Sequence, residues 1–243
     1  MTAGLLVSCG GAGAASAPPA PSASMGNAVD LAVPASIAGF PLLDGQGATT
    51  SLSALRGKVV VLAPLLTSCQ EECPLTTGAF LAIQRDLSAA GLSDKVTLAE
   101  LSVDPNRDTP ARLAAYAAYT GANWRLLTST AQIVESFWHH FGVYFEKTPE
   151  GIPAGIDWQT GKPYTYDVSH SNGFLVFDPA GHLRFLTVEL PDLHGNLGPR
   201  LRRLLNDQGL ENLDHPDPNQ SWTIPQALQA IGWVLGRSIP ASG

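Results

Sequence analysis

Three cysteines among 243 residues are too few for a disulfide framework. No apolar run approaches the roughly 20 residues needed to span a bilayer. Basic residues are scarce as well: 14 Lys+Arg stand against 21 Asp+Glu, for a formal net charge of −7, and they form no cluster. Such a chain has nothing with which to grip a phosphate backbone, so nucleic acid is not an expected partner. Charged residues make up only 14% of the chain while hydrophobic ones make up 44%, which suits a folded domain with something less ordered attached. The length allows one full domain with tails, or two small domains.

What the sequence does contain is concentrated. Two of the cysteines stand four positions apart in Thr67-Ser68-Cys69-Gln70-Glu71-Glu72-Cys73-Pro74, and the third, Cys9, is far away. Leu6-Val7-Ser8-Cys9 resembles a bacterial lipobox, whose cysteine becomes the lipidated first residue of the mature protein. Behind it lies an Ala/Gly/Ser/Pro tether that cannot build a core. This reading expects a lipid on Cys9 and an extracytoplasmic, periplasmic protein held at the inner membrane. The competing reading is a stray thiol in a tail.

The organisation expected is a signal remnant and linker over 1–30, a folded domain over 31–208 and an extension of unknown role over 209–243. Phe40 to Leu52 reads as an N-terminal β-hairpin turning at Asp44-Gly45. Val59-Val60-Val61-Leu62 begins a buried central strand, and Pro74 opens a helix. Val96 to Val103 is a strand, Thr109-Pro110 starts a second helix, Trp124 to Thr128 is a short strand, and Thr130 starts a third helix. Tyr144 to Tyr166 has no periodicity and is too long for an ordinary connection. A second hairpin spans Gly173 to Thr187, and a helix around Leu197 to Leu205 follows. A further amphipathic helix in Ile224 to Arg237 could dock on the body or on a partner. Strands alternating with helices predict an α/β fold of three layers, a central mixed sheet flanked by helices. The cysteines then fall at the carboxyl end of a central strand, where open α/β sheets place their sites.

Two thiols at this spacing can cycle between dithiol and disulfide, supply half of a metal site, or form a structural disulfide. Redox enzymes of the thioredoxin type usually carry Cys-x-x-Cys, one residue shorter. A structural zinc site would need four ligands, whereas copper accepts two thiolates and an imidazole. Six histidines are available. His139 and His140 read as helix residues, His182 as an exposed strand residue, and His194 and His215 as isolated loop residues. His170 stands at the end of the long loop, which could carry it over the sheet to the cysteines. Glu71 and Glu72 read as solvated loop charges, Asp108 as a cap or turn acceptor before Thr109, and Asp104 as a residue that orders its loop.

From about Phe40 to Leu205 the chain resembles the SCO/SenC family of copper-handling thioredoxin-fold proteins. The resemblance rests on Leu55-Arg56-Gly57-Lys58, Thr67-Ser68-Cys69 with Cys73-Pro74, Ser102-Val103-Asp104-Pro105, Arg107-Asp108-Thr109-Pro110, Trp124-Arg125-Leu126-Leu127, and His170-Ser171 ahead of Phe174 to Asp178. It implies a thioredoxin-like fold that binds one copper ion, Cu(I) or Cu(II), through Cys69, Cys73 and His170. It also implies help in assembling the dinuclear copper centre of cytochrome c oxidase subunit II, by delivering copper, by reducing that centre's cysteines, or both. Expected partners are therefore subunit II or another copper protein, an upstream copper donor, a thiol reductant, and the membrane through the lipid. The alternative function is a thiol–disulfide oxidoreductase that uses Cys69 and Cys73 alone. Ala63-Pro64-Leu65-Leu66 departs from the aromatic-rich strand end common in the family.

Overall fold

A computed structural model describes residues 17–242, and Cys9 lies outside the described residues. The first strand, β1 (Asn27–Ala32), is followed by a one-turn helix, α1 (Ala35–Ala38). Strands β2 (Leu42–Asp44) and β3 (Thr49–Thr50) make the N-terminal hairpin. Its turn is held by Asp44 Oδ1, which accepts from the N–H groups of Gln46 and Ala48. Gly47 supplies the left-handed residue at φ 78°.

The alternating part follows: β4 (Val59–Leu65), α2 (Cys73–Ala89), β5 (Val96–Ser102), α3 (Pro110–Thr120), β6 (Arg125–Thr128) and α4 (Ala131–His140). Thr109 and Thr130 cap α3 and α4, their hydroxyls accepting from Arg112 N–H and Ile133 N–H. Beyond α4 come β7 (Phe145–Thr148), β8 (Asp167–His170), β9 (Phe174–Phe177), β10 (His182–Thr187) and β11 (Leu190–Asp192). The chain closes with α5 (Pro199–Arg202), α6 (Asp207–Asp214), β12 (Ser221–Thr223) and α7 (Ile224–Leu235).

Eight strands form one mixed sheet in the order β1-β10-β9-β4-β5-β6-β2-β3. Within this sheet only β4–β5 and β5–β6 pair in parallel, each joined by a crossover helix, and β11 and β12 make a separate parallel pair. The period of two along β4 divides its side chains between two cores. Val60 and Leu62 face a cluster with Leu113 and Tyr116 of α3 and Phe137 and Trp138 of α4. Val59, Val61 and Ala63 face a second cluster with Phe80 and Ile83 of α2 and Leu228 and Ile231 of α7. β4 is therefore buried along its whole length, and its carboxyl end is a rigid support for whatever follows it.

Packing continues on both sides of the 31–208 span. Met25 is buried in the second cluster, and so are Trp222, Ala227 and Ile231. The apolar stripe of α7 docks on α2, β4 and β9 of this chain. The helix expected around Leu197 to Leu205 shrinks to the single turn α5. Asn206 adopts extended backbone and caps a new helix, its side-chain oxygen accepting from Gly209 N–H at 2.8 Å. The long aperiodic stretch is also more ordered than its sequence suggests. Its first residues form β7, antiparallel to β8 in a separate two-stranded ribbon with Phe145 opposite His170.

Candidate metal centre

The chain leaves β4 at Leu65, turns through residues 66–72 and enters α2, so Cys69 lies in the turn and Cys73 opens the helix. Pro74 fits the first helical turn because it has no N–H to leave unpaired. The free amides of that turn converge on one sulfur. Cys69 Sγ accepts from the N–H groups of Glu71, Glu72 and Cys73 at 3.5, 3.3 and 3.4 Å. Cys73 is buried, and its Sγ accepts from Leu66 N–H at 3.3 Å. Both thiols are free.

His170 ends β8, where Ser171 closes the ribbon through hydrogen bonds with Tyr144: Ser171 N–H donates to Tyr144 O, and Tyr144 N–H donates to Ser171 Oγ. Nδ1 of His170 sits 2.9 Å from the Ser171 carbonyl oxygen, which can only accept, so the proton is on Nδ1. In the neutral ring Nε2 then presents its lone pair to the thiols, 3.5 Å from Cys73 Sγ, and in the protonated ring it donates to the Cys69 thiolate. The ligand atoms of Cys69, Cys73 and His170 all lie within 4.8 Å of one another. Metal–sulfur and metal–nitrogen bonds of about 2.3 and 2.0 Å put two ligands of one ion at most about 4.6 Å apart, so a small inward movement of these side chains would bring the set onto a single ion. Among the described residues no other His, Cys, Asp and Glu group of three or more gathers in this way.

The two thiols are electrostatically unequal. The hydrogen bond from Cys73 holds Cys69 well below the ordinary thiol range, against burial, with help from His170. Cys73 is pushed well above that range by donating to Cys69, by burial and by the Cys69 charge. The proton the pair shares therefore resides on Cys73, and Cys69 carries the thiolate. Burial draws His170 down, but its hydrogen bond and charge interaction with Cys69 outweigh that and raise it. Burial raises Glu72 first, and the neighbouring Cys69 charge adds to this.

A buried polar frame fixes the turn. Asp108 accepts from Thr67 Oγ1 at 2.5 Å and from Ser102 Oγ at 2.7 Å. This corrects the cap role expected for Asp108: Thr109 caps the helix, and the Asp108 carboxylate, fully buried, ties β5 to the cysteine turn. Burial pushes Asp108 up to about 6. Arg112 donates to Thr67 Oγ1 at 2.6 Å and to Asp157 at 2.8 Å, and Trp158 Nε1 donates to the Thr67 carbonyl at 2.8 Å. Arg107 donates to Asp104 and to the Tyr166 carbonyl, and its guanidinium stacks 4.0 Å over the Tyr166 ring. The long loop is thus pinned beside the thiols by α3 and by the Asp104–Asp108 turn.

Glu71 and Glu72 are partly buried and partnered where solvated charges were expected: Asn206 Nδ2 donates to Glu71 Oε1 at 3.0 Å, and Asn172 bonds Glu72. Around them opens a cavity of about 560 Å³, lined by Cys69, Glu71, Glu72, Glu150, Ile156 and His170 among others, so Cys69 and the imidazole are reachable from outside while Cys73 lies buried behind them. The other histidines stay away. His139 and His140 are exposed, His182 faces Asp30, His194 faces Asp192, and His215 ends α6. Reading the sequence missed Trp158, Asp157, Arg112 and Asn206, whose contacts span 45 to 135 residues with no local motif. It also missed Glu100, buried beneath the site and bonded by Trp124 Nε1 at 2.7 Å.

The SCO1/SenC family model matches residues 31–191. Over 116 residues the chain is 31% identical to the SCO1 protein homolog of Bacillus subtilis, a match spanning 46% of this chain and 59% of that protein. Bradyrhizobium japonicum ScoI, solved with copper bound, has the same fold, with a TM-score of 0.52 at 22% identity over 70% of this chain and 94% of that one. A SCO1/SenC family lipoprotein of Bacillus anthracis does too, with a TM-score of 0.50 at 24% identity over 68% and 90%.

Proposed function

Because this chain belongs to the SCO1/SenC family, we propose that it is a copper metallochaperone that takes one copper ion as cargo on Cys69, Cys73 and His170. One observation carries this reading: the two sulfurs and the imidazole Nε2 stand within 4.8 Å of one another, with Cys73 and His170 97 residues apart in the chain and Cys69 and His170 lining a cleft. Soft thiolates and one imidazole suit copper in either oxidation state. Three protein ligands leave a coordination position free, so a partner's ligand can enter before the chain's own ligands leave. The recipient in this reading is the dinuclear copper centre of cytochrome c oxidase subunit II, loaded on the extracytoplasmic face by a protein anchored through a lipid on Cys9. The copper bound by Bradyrhizobium japonicum ScoI and the lipoprotein of Bacillus anthracis support this reading.

The test is a copper titration of reduced wild-type and His170→Ala protein in competition with a mild chelator. One equivalent should bind to the wild type, with a thiolate-to-Cu(II) charge-transfer band, and the variant should lose both the affinity and the band. Wild-type protein that cedes all its copper to the chelator would sink the reading.

A second reading, thiol–disulfide reductase, is favoured by the split between the thiols. The Cys69 thiolate would attack a partner's disulfide sulfur, releasing one partner thiolate that takes up a proton. With the Cys69 charge gone, Cys73 loses its proton and attacks Cys69. This frees the partner's second thiol and leaves a Cys69–Cys73 disulfide. Cys73→Ser should trap the mixed disulfide, and a variant that traps nothing from a disulfide-bearing subunit II domain removes this reading.

A further inference from the structure

The turn between the cysteines is gripped from one side by residues outside the span matched to the family. Asn206 N–H donates to the Gln70 carbonyl at 2.7 Å, and Asn206 Nδ2 donates to Glu71 Oε1 at 3.0 Å. Three residues on, Gly209 lies against the same turn so closely that a Cβ there would sit 2.5 Å from Gln70 O and 2.9 Å from Glu71 Cα. Gly209 has an ordinary negative φ, so close approach rather than backbone conformation requires the glycine. On the other side, Gln70 Nε2 donates to Ile156 O at 3.4 Å. The segment carrying Asn206 is itself anchored, with Leu201, Leu204 and Leu213 buried on either side of it.

We propose that Asn206 and Gly209 are positioning residues that hold the Gln70–Glu71 turn in its metal-ready, dithiol form and oppose its closure to a disulfide. The inference deepens the copper reading and rests on it for the metal arm alone. In the gripped turn Cys69 Sγ is held by three amides of its own loop. Forming the disulfide removes two electrons from the pair and the one proton held on Cys73, and it draws the sulfurs to about 2.05 Å, which pulls Cys69 Sγ off those amides. A turn tied at Gln70 and Glu71 resists that movement. The electrons pass to the oxidised member of a thiol buffer such as glutathione disulfide, and the grip shifts that equilibrium toward the dithiol.

The test compares wild type with Asn206→Asp, Asn206→Ala and Gly209→Ala in two assays. One is the dithiol–disulfide equilibrium in glutathione buffers, and the other is copper affinity under reduction. Asn206→Asp keeps the oxygen that caps α6 but loses the donor to Glu71, so it separates the grip from helix capping. The expected result is about a tenfold shift toward disulfide in Asn206→Asp and Gly209→Ala, equal to about 30 mV more negative. Copper affinity should weaken by about the same factor, with unchanged far-ultraviolet circular dichroism. Asn206→Asp indistinguishable from wild type in the glutathione equilibrium, with Asn206→Ala alone impaired, would mean a capping role only and overturns the proposal. If Gly209→Ala does not fold, Asn206→Asp decides. If the wild type takes no copper, the copper reading fails while the glutathione equilibrium still decides this one.

Discussion

The indole N–H of Trp158 donates to the carbonyl oxygen of Thr67 at 2.8 Å, which fixes the long loop to the turn two residues ahead of Cys69. The ring packs against Tyr116 and Tyr119 and lies 5.3 Å from the Arg112 guanidinium. One side chain thus joins the loop between β7 and β8, the strand that ends at His170, to the turn that carries the thiols.

Trp158→Phe should keep the packing and lose the hydrogen bond. A neutral hydrogen bond contributes about 1 kcal/mol net, so copper affinity is expected to fall roughly fivefold. Thermal stability should fall by only a few degrees. Competition titration and a melting curve check both, and unchanged affinity would mean that the loop does not set the position of His170.

Cys69 is held below the ordinary thiol range and is partly exposed, whereas Cys73 is held above it and buried. Since the thiolate is the nucleophile, iodoacetamide at pH 7 should modify Cys69 well before Cys73. Mass spectrometry of a time course reads the order, and modification of Cys73 first would contradict the assignment of the shared proton.

Glu100 is fully buried, and burial pushes it up to about 8. A carboxyl whose folded value lies above its unfolded one keeps its proton in the folded state while the unfolded chain loses it. Its contribution is therefore greatest below about pH 4.5 and declines as pH rises toward 8. Glu100→Gln removes that decline. The stability of the variant relative to wild type should rise steadily between pH 5 and pH 8 in urea melts, and a pH-independent difference would show that Glu100 is charged in the fold.

Ile231 of α7 is fully buried against the second core cluster. Ile231→Ala should cost about 2–5 kcal/mol, as a cavity in a packed core does. A loss below 1 kcal/mol in chemical denaturation would mean that α7 is not integral to the fold.

Much of the architecture was legible because its signals are local. Val59 to Leu62 is short, β-branched and continuous; Thr109-Pro110 and Thr130 are caps; Asp44-Gly45 is a turn. The interruption at Asn206 was not, because its cap is made by a residue that also bonds a turn 135 residues away. Asp108 was misassigned for a similar reason. An aspartate before a Thr-Pro helix start has the local pattern of a cap, and only the approach of β5 and the cysteine turn makes it a buried link.

By itself the sequence determined the alternation of strands and helices from β4 to α4, the place of Cys69 and Cys73 after a central strand, and His170 as the imidazole that could reach them. Those follow from periodicity, turn chemistry and donor type, which act over a few residues. Only the tertiary structure decided that the Nε2 of His170 faces the sulfurs, that three amides converge on Cys69 Sγ, and that Trp158, Arg112 and Asn206 hold the turn. These depend on burial and on contacts between distant segments, and no short stretch of chain carries either.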